Sequence, residues 1–348
     1  MIFQRSKRRR RDANSTTEAA AAREVFSSTG EILAEIERLS PANGAPADPV
    51  VARRMLRLRH LAGIGLVREA APEPRYPEPD AGWLSESGVP EVAPSELEAG
   101  VLRAGILVGG CMLVRGAIDR ELSEQLAAGI ERAFRDRDAQ LAGARDDGSI
   151  YEEFSPEPEY PPLAERPWIA EGGGVLGVDA PTLLASLLGA FDRIGLTGVI
   201  GDYLGEPAVF SAQKCTLRKA DPSVGGAWHQ DGNFMGDVRA LNVWLSLSRC
   251  GDIAPGLDVV PRRIEDLVPA GTDGAPLSYV ISPRKVEEVA GETGILRPIF
   301  EPGDLLLFDD RFLHQTGSDP SMPNPRYAVE SWFFGASGFP EDFAPLAA

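Results

Sequence analysis

Along the chain the apolar positions fall into two textures, helical at first and strand-like later. From Ser15 to about Leu39, residues Val25, Ile32, Leu33, Ile36 and Leu39 recur close to i, i+3, i+4 and i+7, which predicts a helix. A second helix is expected from Asp48 to Leu61, rich in Arg and Leu behind a Pro-Ala-Asp-Pro entry. Ala70 to Pro94 is crowded with Pro, Glu and Gly and reads as a linker or irregular wrap. The main domain begins near Leu97. Ile106 to Val114 is an apolar, strand-like run, and Asp119 is placed to N-cap a helix through about Arg135. Arg145 to Gly177 is loop-rich, and a helix is expected from Pro181 to about Tyr203. Beyond it come short strands at Ala208–Leu217, Ala240–Leu247, Leu257–Val260, Leu277–Ile281, Ile295–Phe300, Asp304–Phe308 and Tyr327–Phe334, each punctuated by turn residues. Short strands at this spacing, without helices between them, predict a mainly β sandwich or barrel with helices outside.

The organisation expected is therefore a basic tail over 1–14, a helical extension over 15–69, a linker over 70–96 and one β-rich domain over 97–348. The tail carries Arg5, Lys7 and Arg8 to Arg11 with no apolar stretch behind them, so it reads as a disordered solvated segment, with an electrostatic tether the alternative, and not as a secretory signal. Thirty-five basic against fifty-two acidic residues give a net charge of −17. That field argues against nucleic acid and anionic membranes as partners and leaves a small molecule. Cys111, Cys215 and Cys250 are odd in number and far apart. They argue against a disulfide framework or a structural zinc and fit a reducing cytoplasm. No apolar run reaches the roughly 18 residues of a membrane span. The sequence specifies no oligomeric state.

The chemistry gathers around two of the three histidines. Gly226-Ala227-Trp228-His229-Gln230-Asp231-Gly232 contains H-x-D, and in a strand residues two apart share a face, so His229 and Asp231 are expected side by side. His314 follows the apolar run Leu305–Phe308, which a Glu-Pro-Gly-Asp turn introduces, and a distant strand of a closed sheet can bring it to the same place. Two His and one carboxylate on one face of an octahedron leave three positions open, the arrangement that suits non-haem Fe(II) with a co-substrate and O₂. Ca²⁺ and Mg²⁺ prefer all-oxygen shells. Arg326 opens the strand ending in Trp332-Phe333-Phe334 and can pair bidentately with a dicarboxylate. In that reading 2-oxoglutarate chelates iron through its 1-carboxylate and keto oxygen, Arg326 fixes the 5-carboxylate, and Thr316 adds a hydroxyl.

Other positions are secondary. Period two on the strand from Ala208 puts Lys214, Thr216 and Arg218 on one face, where Lys214 and Thr216 can touch 2-oxoglutarate or substrate, or line an exposed edge. Asn242 and Trp244 alternate with Val243 and Leu245 and are candidate substrate contacts, with core packing the alternative for the tryptophan. Trp228 is expected to pack beside the metal, and His60, in a helix with Arg53, Arg54, Arg57 and Arg59, to be solvated. Gly172-Gly173-Gly174-Val175-Leu176-Gly177 matches G-x-G-x-x-G, but no βαβ unit surrounds it, so it is read as a flexible loop.

From about Leu97 to Ala336 the chain resembles the phytanoyl-CoA dioxygenase superfamily. The resemblance is carried by the stretch from Ile106 to Gly116 with the helix after it, and by Trp228-His229-Gln230-Asp231-Gly232. Ala240 to Leu247, Pro255 to Pro261, Pro302 through Gly317, and Arg326 carry the rest. It implies a double-stranded β-helix (jelly-roll, cupin-like) core flanked by helices, with Fe(II), 2-oxoglutarate and O₂. It also implies oxidative decarboxylation to succinate and CO₂ coupled to substrate oxidation. Asp231 favours hydroxylation, since halogenases of this fold lack the carboxylate ligand. The N-terminal ~95 residues have no counterpart in the family pattern. Arg262-Arg263-Ile264-Glu265 stands where the family often has a Gly-Ser-His-like sequence. With no basic cluster for a CoA diphosphate, a small metabolite is expected as substrate. The alternatives are a cupin-like metal enzyme that does not use 2-oxoglutarate and a non-catalytic member of the fold.

Overall fold

The computed structural model describes residues 26–40, 47–71, 73–82, 88–144, 148–236 and 238–348. The basic tail and the first part of the expected N-terminal helix lie outside them. Helix α1 spans Thr29–Leu39, with the Ser28 hydroxyl accepting from the Glu31 amide as its cap. Helix α2 spans Pro49–Glu69, eight residues longer at its C-terminal end than the pattern predicts, with Asp48 capping and Pro49 opening it. Ile36 of α1 packs on Met55, Leu58 and Ala62 of α2.

After strand β1 (Glu91–Val92) the first clear difference appears: Ile106 to Gly109 is not strand. Helix α3 runs Ala99–Gly109, Gly110 ends it in the left-handed region at φ 73°, and strand β2 is only Cys111–Val114. A continuous apolar run has no periodicity to separate helix from strand. Helix α4 (Arg120–Leu141) follows, with the Asp119 carboxylate accepting from the Leu122 amide. In the loop-rich stretch lie helix α5 (Arg166–Glu171) and strand β3 (Gly174–Leu176), so the glycine run is partly strand. The long helix expected from Pro181 is two, α6 (Pro181–Arg193) and α7 (Leu196–Leu204), bent by 75°. Gly195 makes the break at φ 70°. No single helix among the described residues is long and apolar enough to cross a membrane.

Strand β4 (Ala208–Ala220) leads to a short helix α8 (Gly232–Met235), then β5 (Ala240–Ser246) and β6 (Gly256–Val259). Helix α9 (Pro283–Ala290) lies between two stretches expected as strands. Leu277–Ile281 is loop, and Ile295–Phe300 makes only isolated bridges, Leu296 to Val259 and Phe300 to Cys250. Strands β7 (Leu305–Phe308), β8 (His314–Gly317), β9 (Arg326–Gly335) and β10 (Pro345–Ala347) complete the chain.

Eight strands form one sheet in the order β1-β2-β7-β5-β9-β4-β10, with β3 also paired to β4; β6 and β8 form a second sheet. All neighbours are antiparallel except β1 with β2. One face of the large sheet, with Leu217, Leu241, Val243, Leu307, Val329 and Phe333, packs against α4, α6 and α7. The other, with Trp244, Leu306, Phe308 and Trp332, faces Leu257 and Val259 of the small sheet. Two opposed antiparallel sheets with helices outside the larger one are the double-stranded β-helix that the resemblance implies.

His60 overturns its expectation. It is 2% exposed, its Nδ1 donates to the Pro345 carbonyl at 2.7 Å, and its Nε2 accepts from the Glu157 amide at 2.9 Å. Arg59 donates to the Ala347 carbonyl at 3.0 Å. Helix α2 thus holds the last strand in place. A basic helix reads as solvated until the strand it covers is known. Arg263, in the segment departing from the family pattern, forms an ion pair with Asp309.

Candidate metal centre and its two cavities

The strand that carries His314 also positions His229. The two residues exchange backbone hydrogen bonds, His229 N to His314 O at 3.0 Å and His314 N to His229 O at 3.1 Å, and their rings lie 4.5 Å apart. Close approach is needed just upstream, where Gly226 donates to the Thr316 carbonyl. A Cβ on Gly226 would meet the Thr316 nitrogen at 2.4 Å.

Asp231 reaches the site by another route than the strand period predicts. Its backbone is helical, φ −63° and ψ −27°, at the head of α8. The chain therefore turns after His229 instead of continuing extended. Gln230, fully buried between the two, holds that turn: its amide accepts from Val268 N at 2.7 Å and donates to Arg311 O at 2.6 Å. The unspecified middle residue of H-x-D is thus structural, which the motif alone does not reveal. Trp228 points away from His229 into a cluster with Val260, Val268, Ile281 and Leu313, so it packs behind the site and not beside the metal position.

His229, Asp231 and His314 each bring one ligand atom within 4.8 Å of the others. Both Nδ1 atoms are turned to backbone carbonyls, His229 to Ala227 O at 2.7 Å and His314 to Phe312 O at 3.0 Å. That fixes the proton on Nδ1 and leaves both Nε2 lone pairs directed at the site. Each Nε2 stands 3.9 Å from an Asp231 oxygen, and the buried Oδ2 has no hydrogen-bond partner. Burial pushes Asp231 up to about 6, against the pull of His229. Burial and the neighbouring His229 push His314 down to about 3. A carboxylate and a neutral imidazole so perturbed, with an orphaned oxygen between them, form a donor set that a divalent cation satisfies.

Two cavities meet here. The larger, about 320 Å³, is lined by Trp244, Leu257, Phe308, His314, Thr316 and Arg326. The smaller, about 100 Å³, is lined by Glu165, Trp168, Lys214, Thr216, Phe234 and Tyr279, together with Asp231. His229, Arg218 and Glu330 line both. Glu330 carries no motif signal and reads as an ordinary polar position in a strand. Burial raises its pKa, but Arg218 and both histidines outweigh that and hold it below the usual glutamate range. Arg218 pairs with it at 3.3 Å.

Arg326 is 4% exposed and reaches from the large sheet to the small one, donating to Gly256 O at 2.9 Å. Its guanidinium carbon lies 5.4 Å from the centre of the Trp244 ring, and its Nε has no partner. No carboxylate among the described residues pairs with it. Thr316 and Trp244 share its cavity. Lys214 and Thr216 open instead on the smaller cavity. A register shift in β4 between Phe210 and Cys215 brings Gln213 to the same place, although strict alternation would put it on the opposite face. Asn242 is fully buried on the inner face, lines neither cavity, and leaves both amide atoms without partners.

No protein-family model and no curated protein matches the chain. Among solved structures, EctD from S. alaskensis with 2-oxoglutarate and 5-hydroxyectoine is similar over 78% of this chain and 86% of its own. The identity is 19% and the TM-score 0.49. SnoK, a non-haem α-ketoglutarate-dependent carbocyclase from nogalamycin biosynthesis, is similar over 72% of this chain and 91% of its own, at 14% identity and 0.45. AviO1 from Streptomyces viridochromogenes Tue57 covers 68% of this chain and 94% of its own, at 19% identity and 0.40.

Proposed function

We propose that the chain is an Fe(II)- and 2-oxoglutarate-dependent dioxygenase of the phytanoyl-CoA dioxygenase type, hydroxylating a small-molecule substrate. One observation carries the reading: an unpaired, buried Arg326 opens on the same cavity as the open side of the His229–Asp231–His314 set. A buried cation without an anion costs several kcal/mol, and a dicarboxylate chelating the metal supplies that anion. In this reading His229, Asp231 and His314 hold iron, which when bound supplies open positions for a keto acid and O₂ and the oxidising power for C–H cleavage. Arg326 and Thr316 hold the 5-carboxylate of 2-oxoglutarate. Trp244 and Phe308 wall that cavity and exclude water. The balance is R–H + 2-oxoglutarate + O₂ → R–OH + succinate + CO₂.

Residues 97–348 are taken as the oxygenase unit, with 15–69 as an extension whose helix α2 buttresses β10. The three cysteines are free and buried, in keeping with the proposed cytoplasmic setting.

The test is anaerobic titration of the protein with Fe(II) and then 2-oxoglutarate. The expected result is the weak visible charge-transfer band of a keto acid chelated to iron. Iron binding without the band would replace this reading with a cupin-like metal enzyme that does not use 2-oxoglutarate. Failure to bind iron would remove the metal site.

A further inference from the structure

The smaller cavity holds two ionic groups that form no ion pair among the described residues. Lys214 is the first. Its ammonium lies 4.8 Å from the centre of the Phe234 ring and 5.4 Å from that of Phe343, and it makes no ion pair among the described residues. Glu165 is the second, at the head of α5. Its Oε2 is buried and has no hydrogen-bond partner. The two do not pair with each other, since no ion pair joins them within 4.0 Å. The other charges lining the cavity are already committed: Asp231 to the metal set, Arg218 to Glu330.

Two aromatic faces stabilise an ammonium by about 0.5–2 kcal/mol, and that alone could explain Lys214. It leaves the buried Glu165 oxygen unexplained. Buried polar atoms are nearly always hydrogen-bonded, and an orphan beside a cavity points to something absent from the protein. The rim is open and aromatic, with Trp168 58% and Phe234 45% exposed. A ligand longer than the cavity can extend past them into solvent.

We propose that this cavity is the substrate site and that it takes a small zwitterion, its anionic group on Lys214 and its amine on Glu165. The proposal rests on the function proposed above, which gives the other cavity to 2-oxoglutarate. It moves Lys214 from the co-substrate to the substrate. Held at both ends, such a molecule presents the carbons between its charges to His229 and Asp231, which line the same cavity.

The experiment uses the full chain loaded anaerobically with Fe(II) and 2-oxoglutarate. The probes are glycine, β-alanine, 4-aminobutyrate, 5-aminovalerate and L-proline, each with its amide and its amine-free acid. Melting temperature is the readout, and the 2-oxoglutarate titration is the control. At least one amino acid is expected to raise the melting temperature by about 2 °C or more at millimolar concentration, by mass action on the folded state. Its amide and its amine-free acid should not. Lys214→Met and Glu165→Gln should each lose that shift while keeping their 2-oxoglutarate affinity within twofold, which also shows that they fold. Lys214→Arg should restore part of it.

A tenfold loss of 2-oxoglutarate affinity in Lys214→Met would return the lysine to the co-substrate and overturn the proposal. Equal shifts from the amides or acids, or no shift from any probe, would overturn the zwitterion. A wild type that takes iron but gives no 2-oxoglutarate band fails earlier, at the proposed function.

Discussion

The two faces of the large sheet are made by the same strands and do opposite work. On the helix side, Leu241, Val243, Leu307, Val329 and Phe333 are fully or almost fully buried, and the polar exceptions, Cys215 and Ser331, lie 3.9 Å apart and satisfy each other. On the side facing β6 and β8, alternate residues of β4, β5 and β9 are Thr216, Arg218, Asn242, Trp244, Arg326 and Glu330. That face keeps an orphaned Arg326 Nε and an orphaned Asn242 amide. Period two lets one strand serve both purposes: each stabilising residue is followed by one free to be costly. The helix-side face therefore supplies stability, and the inner face spends some of it on groups poised for a ligand.

Substitutions on the two faces should separate binding from stability. The largest effect is expected from His229→Ala, which removes a ligand atom and should weaken Fe(II) binding by at least about 100-fold in an anaerobic titration. Its urea midpoint should move little, because His229 lies outside both sheet cores. Phe333→Ala, on the helix side, should do the reverse. Losing a fully buried ring there should cost about 3–5 kcal/mol in chemical denaturation, with Fe(II) affinity unchanged. If both substitutions moved both quantities, the division between the faces would be lost. Arg326→Ala comes next. It should raise the 2-oxoglutarate KM by roughly 30-fold, the lower end for breaking a buried charge pair. Iron affinity measured without 2-oxoglutarate should stay the same.

The turn between β7 and β8 should show in the pH dependence of stability. Burial and the adjacent Asp309 push Asp310 up to about 7. Its folded pKa lies above the ordinary aspartate value, so the folded state binds the extra proton between about pH 4 and pH 7. The contribution is present at low pH and is lost as pH rises through 7. Asp310→Asn should remove this dependence. Between pH 5 and pH 8 the variant should lose less stability than the wild type, by on the order of 2 kcal/mol. Denaturation midpoints at the two pH values check this, and parallel losses would show that Asp310 is solvated.

How much of this was legible in the sequence depended on whether a residue's role is local. His229, Asp231, His314 and Arg326 were readable because each sits in a short motif bounded by turn residues, and the structure places all four around one site. The means by which Asp231 arrives was not readable. H-x-D serves a strand and a helical turn equally well, and the deciding contacts of Gln230 come from Val268 and Arg311. Glu330 was missed because a polar residue between two apolar ones is the normal texture of any half-buried strand. Glu165 and Trp168 fell in a stretch read as loop, where the described residues include a six-residue helix and a three-residue strand. His60 failed for a tertiary reason: its partners, Pro345 and Glu157, are distant in sequence and belong to no recognisable motif.

Asn242 carries the smallest expected effect and tests the idea of a costly inner face at one residue. Its amide is fully buried opposite Phe308 and Trp332, and neither the nitrogen nor the oxygen has a partner. Leaving such a group unsatisfied costs about 1–3 kcal/mol, whereas an apolar side chain of similar volume carries no such penalty. Asn242→Leu should therefore stabilise the protein by on the order of 1 kcal/mol in urea denaturation, less whatever the altered shape costs in packing. A stabilised variant with unchanged 2-oxoglutarate affinity would make Asn242 a residue whose polarity co-substrate binding does not need. A stabilised variant with weakened affinity would place its amide in contact with the bound complex and extend the working face to that depth. Destabilisation by more than about 1 kcal/mol would show that the amide is satisfied by buried water, and that this part of the inner face was never costly.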